Sequence, residues 1–245
     1  MSASRNPKKR LDVLLVERGL AETRSQAQAL VLAGRVKGFS KAGDQVEEGA
    51  ELEVAEGPRF VSRGGEKLAH ALAELEIDVA GQDCLDIGAS TGGFTDCLLQ
   101  AGAARVCALD VGYGQLHPKL RDDPRVTVLE RVNVRNLRCD DLPFRPTFLT
   151  CDVSFIGLAK ALPPALACAA PGWRAVVLVK PQFEAGPDQV GKGGVVRDPD
   201  VRRRALDGVI ALAPDWGARV LGVVESPVRG PKGNVEFLLH LGAER

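Results

Sequence analysis

From residue 64 onward the chain alternates short apolar runs with helix-length amphipathic stretches, a pattern that few folds satisfy. Strands joined through helices pair in parallel, so this part is expected to be α/β around a mostly parallel sheet. Seven strands are predicted near 83–88, 105–111, 126–130, 147–153, 174–181, 218–225 and 234–241. Helices are predicted near 65–76, 92–101, 157–170 and 199–213. Only a turn over 227–233 separates the last two strands, so the final one is expected to run antiparallel. The stretch 184–198, rich in glycine and charge, is too polar for core and reads as a mobile loop beside a site.

The first 56 residues have a different texture. After a start that reads as disordered, Leu11, Leu14 and Leu15 mark a short amphipathic helix closed by Gly19. Thr23 with Gln26 resembles a capping box and opens a second helix, with Ala27, Leu30 and Val31 inward and Gly34 as its stop. Segments 35–39 and 51–56 alternate like short strands around a turn at Ala42, Gly43 and Asp44. A small α+β domain is therefore expected over 1–56, a linker over 57–63 and the α/β domain over 64–245.

A formal net charge of zero hides an asymmetry between these parts. Residues 1–41 carry nine Lys/Arg against three acids, a surplus of six that the remainder cancels. A basic end on an acidic body suits a module that holds a polyanion while another part works on it, and a solubilising tail is the plainer use of the same charge. Lys8, Lys9, Arg10, Arg24, Arg35 and Lys37 are the candidate phosphate contacts, with Arg59 and Arg63 flanking the linker. No apolar run approaches the ~18 residues of a membrane span, and the basic N-terminus lacks the apolar stretch of a secretory signal. The expected location is the cytoplasm. The six cysteines contain no C-x-x-C pair and the three histidines are isolated, so no metal site is expected. The cysteines fall in apolar strands and helices and read as buried free thiols rather than disulfides.

Residues 83–96, DCLDIGASTGGFTD, follow a short apolar run and precede a helix-like one. Glycines at such a turn let backbone approach a ligand, and the next helix offers unpaired N–H groups. The spacing does not fit the G-x-G-x-x-G of a dinucleotide fold, which counts against hydride transfer. Asp110 ends the second strand and can accept from ribose hydroxyls; Asn133 follows the third and can read adenine. A ligand with adenosine but no phosphates, S-adenosyl-L-methionine, suits this arrangement. Gly88, Ala89, Ser90, Thr91, Gly92, Gly93, Phe94, Asp110, Asn133 and Asp152 are its candidate contacts. A glycine turn used only for tight packing is the alternative.

Four residues far apart carry the candidate chemistry: Lys67, which opens a helix-like stretch, and Asp152, Lys180 and Glu236, each in or at the end of an apolar run. Two lysines and two carboxylates on one site neutralise each other and leave one lysine able to act as a base. Separately, Lys67 can pair with Glu66 or Glu74 on its helix, Asp152 can cap a following helix, and Lys180 can end a strand. Phe94, Phe155 and Phe183 suit core packing, or stacking on a base.

In the segments SRGGEKL, DIGASTGGFTD, CDVSFI, LVKPQFE, VGKGGVVRDP and NVEFLLHL, the chain resembles the TlyA-type ribosomal RNA 2′-O-methyltransferases, known also as haemolysins. The resemblance runs over nearly the whole length. It implies an N-terminal α-L RNA-binding module and an FtsJ-like, Rossmann-like S-adenosylmethionine-dependent methyltransferase sheet of seven strands. It further implies a Lys-Asp-Lys-Glu catalytic tetrad at Lys67, Asp152, Lys180 and Glu236, with a cytidine 2′-hydroxyl of rRNA in ribosomal subunits as acceptor. A non-catalytic ribosome-assembly factor and a membrane-active haemolysin are the competing functions.

Overall fold

A computed structural model describes residues 7–244, and the chain divides between Arg59 and Phe60 into two compact units. The first holds β1 (Lys8–Arg10), α1 (Leu11–Glu17), α2 (Arg24–Leu32) and β2 (Gln45–Glu47). β1 pairs antiparallel with β2, so a segment expected to be disordered forms a strand from residue 8, and residues 1–6 lie outside the described part. The expected strands over 35–39 and 51–56 reduce to a single bridge between Val36 and Val54. Leu11, Leu14, Leu15, Ala27, Leu30, Val31, Val36 and Val46 form the core, an inward stripe that two short helices can bury only against each other. The capping motif is present with its second bond displaced by one residue. Thr23 accepts from the Gln26 N–H, whereas the Gln26 side chain accepts from Glu22 N–H at 2.6 Å.

The second unit is a seven-stranded sheet in the order β5-β4-β3-β6-β7-β9-β8. Its strands are β3 (Asp83–Ile87), β4 (Arg105–Asp110), β5 (Val126–Glu130), β6 (Phe148–Cys151), β7 (Arg174–Val179), β8 (Ala218–Glu225) and β9 (Phe237–Ala243). All pairings are parallel except those of β9, which runs antiparallel to both neighbours. The helices are α3 (Gly64–Glu74), α4 (Gly93–Gln100), α5 (Pro118–Arg121), α6 (Leu158–Leu166), α7 (Pro181–Glu184) and α8 (Pro199–Ala211). Among the described residues, no helix is long and apolar enough to cross a membrane.

Two consequences position the site. The chain order reverses between β3 and β6, and ligands of such sheets bind beyond the carboxyl ends of strands at that point. Because β9 is reversed, its first residues lie at the same rim: Phe237 stands opposite Val179. Residues immediately after β6 and β7 and immediately before β9 therefore meet at one edge.

Three expectations need correction. Phe60 is buried against Leu68 and Phe94, and the Val61 N–H donates to Asp96, so the last part of the supposed linker is core of the second unit. The 184–198 stretch is anchored rather than loose: Val196 is buried, its N–H donates to Asn234, and the Asn234 amide donates to the Gly194 carbonyl. Finally, Cys139 and Cys168 form a disulfide, with Cα atoms 4.9 Å apart. Both lie at the ends of elements, Cys139 in a short 3-10 turn and Cys168 just past α6, where packing of the 134–142 segment on α6 brings them together. Cys84, Cys97, Cys107 and Cys151, inside strands and α4, are buried free thiols as expected.

Two buried titratable groups oppose each other. Asp86, on β3, accepts from Thr95 and Thr150 hydroxyls at 2.6 and 2.8 Å, and burial pushes its carboxyl up to about 6. His240, on β9, is pushed down to about 4 by burial and by Arg174. Folded Asp86 keeps a proton that the unfolded chain releases above its usual 3.8, so its contribution to stability falls as pH rises through about 6. Folded His240 rejects a proton that the unfolded chain binds below 6.5, so its contribution rises over about 4 to 6.5. The two slopes offset each other. Asp86→Asn should therefore give a melting temperature that climbs across this range, and His240→Gln one that declines; equal profiles for both variants and the parent would contradict this assignment.

The disulfide spans a separation of 29 residues, for which loop-closure entropy predicts ~3–4 kcal/mol of stabilisation. Cys139→Ser and reduction of the parent with dithiothreitol should lower the unfolding midpoint by the same amount, and reduction should leave the variant unmoved.

Candidate active site

Lys180 follows β7 directly and precedes Pro181, which starts the one-turn helix α7. That turn ends the strand and leaves the lysine at the rim, with its stem in the core and 7% of its surface exposed. Its Nζ lies 2.6 Å from Asp152 Oδ1, just past β6, and donates to Ser154 Oγ at 3.0 Å. Lys67, in the first turn of α3, points back to the sheet, where its Nζ is 2.5 Å from Glu236 Oε2. Glu236 has no solvent exposure, and a carboxylate in that position requires a cation. Gln182 donates to its other oxygen at 3.5 Å. The four candidates thus form two ion pairs, and Lys67 pairs with neither Glu66 nor Glu74. Asp152 caps no helix: α6 is capped by Glu184, which accepts from Leu158 N–H at 2.9 Å. Burial raises the Glu184 carboxyl above its ordinary value.

A cleft of about 880 Å³ opens beyond β3 and β4. Its walls include Gly88, Ser90, Asp110, Asn133 and Asp152 of the expected set, with apolar surface from Ile87, Leu109, Val132 and Ile156. At Gly88, φ is +81° and an added Cβ would lie 2.5 Å from the Asp152 carbonyl, so only glycine allows the two strand ends this close. The Asp110 carboxylate accepts from Ser90 and Gly112 N–H groups at 2.8 and 2.6 Å, stitching the glycine turn to the loop after β4. Asn133 accepts from the Arg135 N–H at 3.1 Å. A second pocket of about 370 Å³ adjoins the cleft. Lys67, Lys180, Arg63, Ala89, Thr91, Gly93, Phe94 and Arg229 line it, and it shares Gly88, Ser90, Asp152 and Ser154 with the cleft. Gly92 lines neither: a side chain there would overlap Leu116 and Leu120, so this glycine serves packing.

Phe94 is core, as packing predicts. Phe155 is not: it is 93% exposed at the cleft mouth, with its ring 5.3 Å from that of Phe183 and φ at +65°. Ser154, Gln182 and Arg229 are site residues that the sequence reading passed over. Proximity to Asp152 and Lys180 was the available signal for the first two, and Gly230 for the third, since its Cβ would strike the Glu236 carboxylate.

In the first unit most candidate cations are engaged. Lys9 pairs with Glu17 and Glu48, Lys37 with Glu53, and Arg35 donates to the Ala55 carbonyl. Arg10 and Arg24 both bind Asp12, which is fully buried and also accepts from Gln28. The Arg10 guanidinium above all holds that carboxyl far below the usual range. Lys8 is exposed.

Comparison with known proteins matches this architecture. Residues 60–243 fit the FtsJ-like methyltransferase family, and residues 9–37 fit the S4 domain. The 16S/23S rRNA (cytidine-2′-O)-methyltransferase TlyA of Mycobacterium tuberculosis is 49% identical over 238 residues, covering 95% of this chain and 89% of that protein. The chain belongs to the TlyA family of FtsJ-like methyltransferases. Hemolysin A of Brachyspira hyodysenteriae, 42% identical, covers 94% of the chain and 98% of its own length. A solved structure described as a hemolysin from Streptococcus thermophilus superposes with a TM-score of 0.75 at 45% identity, covering 98% of this chain and 90% of that one. The FtsJ-like match begins at Phe60, where the second compact unit begins.

Removing one partner of a buried pair typically costs ~3–5 kcal/mol, whereas replacing both costs far less. Lys67→Met should therefore destabilise by that amount in urea unfolding, and Lys67→Met/Glu236→Leu should recover at least half of it. Equal loss in both variants would show that Glu236 is held by something other than Lys67.

Proposed function

We propose that this chain transfers a methyl group from S-adenosylmethionine to the ribose 2′-hydroxyl of a cytidine in ribosomal RNA, with Lys180 as the base. The observation that carries the reading is the position of the Lys180–Asp152 pair, at the seam between a cleft suited to a nucleoside and a smaller pocket lined by both lysines.

The cleft fits the cofactor on three counts. Its volume lies within the ~300–1,000 Å³ of small-molecule sites. It joins apolar walls to an acid at the end of the second strand, and its floor at Gly88 has no room for a side chain. Asp110 would hold the ribose hydroxyls, Asn133 and the Val132–Val134 segment the adenine, and Gly88, Ser90 and Asp152 the amino-acid end. When bound, S-adenosylmethionine supplies an electrophilic methyl group on a sulfonium.

The chain must then align the acceptor oxygen and take up its proton. Alignment in a fixed pocket contributes several kcal/mol to such reactions. Lys180, after its ammonium has given a proton to solvent, accepts the 2′-hydroxyl proton at Nζ, and Asp152 orients it. Lys67, which lines the smaller pocket, holds the ribose, and Glu236, sealed behind it, fixes and neutralises Lys67. The S4 domain grips the RNA, with Lys8, Lys9, Arg10, Arg24, Arg35 and Lys37 as phosphate contacts, all but Lys8 sharing or exchanging their present partners, and Arg59 and Arg63 are further candidate contacts. Each phosphate held should steepen the salt dependence of binding by ~0.7–0.9 log units per log unit of salt. A substrate in ribosomal subunits goes with work in the cytoplasm. Dual naming of the family leaves a membrane-lytic activity to be tested separately, by leakage from liposomes.

Transfer of labelled methyl groups to ribosomal subunits should fall by roughly 10²–10⁴-fold in Lys180→Ala, while S-adenosylhomocysteine binding by calorimetry stays close to that of the parent. Undiminished transfer would eliminate Lys180 as the base.

A further inference from the structure

We infer that Ser154 is a positioning residue for Lys180, fixing which direction of its nitrogen faces the acceptor pocket. The inference rests on the reading of Lys180 as the base.

A lysine nitrogen has three directions beyond its carbon stem. One is taken by Asp152 Oδ1 at 2.6 Å and a second by Ser154 Oγ at 3.0 Å. An amine ready to accept a proton carries two N–H bonds and one lone pair. With Asp152 as its sole partner, that lone pair occupies either of the two remaining directions. Ser154, by accepting the second N–H, sends it to the third. Lys180 lines the smaller pocket, and beyond Asp152 and Ser154 its Nζ faces only the Phe183 ring, 5.8 Å away, so on this inference the third direction is left for an acceptor hydroxyl.

Ser154 is placed for this by a fixed turn. It lies two residues past Asp152, and the next residue, Phe155, has φ at +65°. A bulky residue adopts that left-handed conformation only where the surrounding structure dictates it. Ser154 is also exposed and lines both the cleft and the pocket. Its hydroxyl therefore reaches the reacting atoms' side of Lys180 rather than a closed core, and a purely structural hydrogen bond needs no such exposure.

Single-turnover methyl transfer to ribosomal subunits lacking the modification tests this, with Ser154→Ala, Ser154→Thr and Lys180→Ala measured in parallel on the full chain. Loss of one hydrogen bond to a neutral amine predicts a rate for Ser154→Ala lower by about 2- to 10-fold. The KM for RNA, the Kd for S-adenosylhomocysteine and the melting temperature should stay within about twofold of the parent, and Ser154→Thr, which keeps the acceptor, should restore most of the rate. An unchanged rate in Ser154→Ala while Lys180→Ala is inactive overturns the inference and leaves the base assignment standing. A rate that falls only in step with cofactor affinity, or that Ser154→Thr fails to rescue, overturns it as well. Full activity in Lys180→Ala ends both.

Discussion

A carboxylate sealed from solvent at the edge of a sheet can exist only beside a cation, and in this chain that cation comes from 169 residues earlier. The bond between Lys67 and Glu236 ties the first helix of the methyltransferase unit to the entry of its last strand. Much else depends on it. It fixes where α3 lies over the rim, and α3 in turn meets the glycine turn, because Gly93 leaves space for Ser62 and Gly65. Glu236 reaches this place because β9 is reversed. A parallel last strand would put its carboxyl end, and not its start, beside Lys180.

The second pair has a different character. Lys180 and Asp152 lie past adjacent parallel strands: Asp152 is one residue beyond the last pair of their ladder, Cys151 with Val177, and Lys180 three beyond it, so the long lysine side chain spans the offset. Both lysines reach the smaller pocket, but Glu236 is sealed from solvent whereas Asp152 lines both cavities, so the difference between the pairs lies in their acids.

The strands were legible because buried strands read as continuous apolar runs, such as AVVLV before Lys180; two match their expected bounds and the rest differ by up to three residues. The antiparallel end followed from a connection too short for a crossover. Which lysine meets which acid was not legible, since side-chain direction beyond a strand end depends on the turn that follows. The Phe155 turn illustrates this: a left-handed aromatic has no signature in sequence, so neither its exposure nor the placing of Ser154 could be foreseen. The Cys139–Cys168 bond escaped for a related reason. Both residues sit at element ends whose meeting depends on how a segment after β5 packs on α6. In the S4 domain, charge counting found a basic surplus but not that Asp12 gathers two of its arginines into an internal knot.

Gly88, Gly92, Gly93 and Gly230 face four unrelated neighbours: a strand-end carbonyl, two leucines, a serine with a helix start, and the sealed carboxylate. At Gly88, Gly93 and Gly230 the contours of the cavities are thus drawn by atoms that are missing, and at Gly92 the packing beside them is. One extra methyl at any of these points pushes on a separate wall, and no single change elsewhere relieves all four. Side chains find room at the rim, where Ser90 and Thr91 meet solvent, and none along the floor beneath.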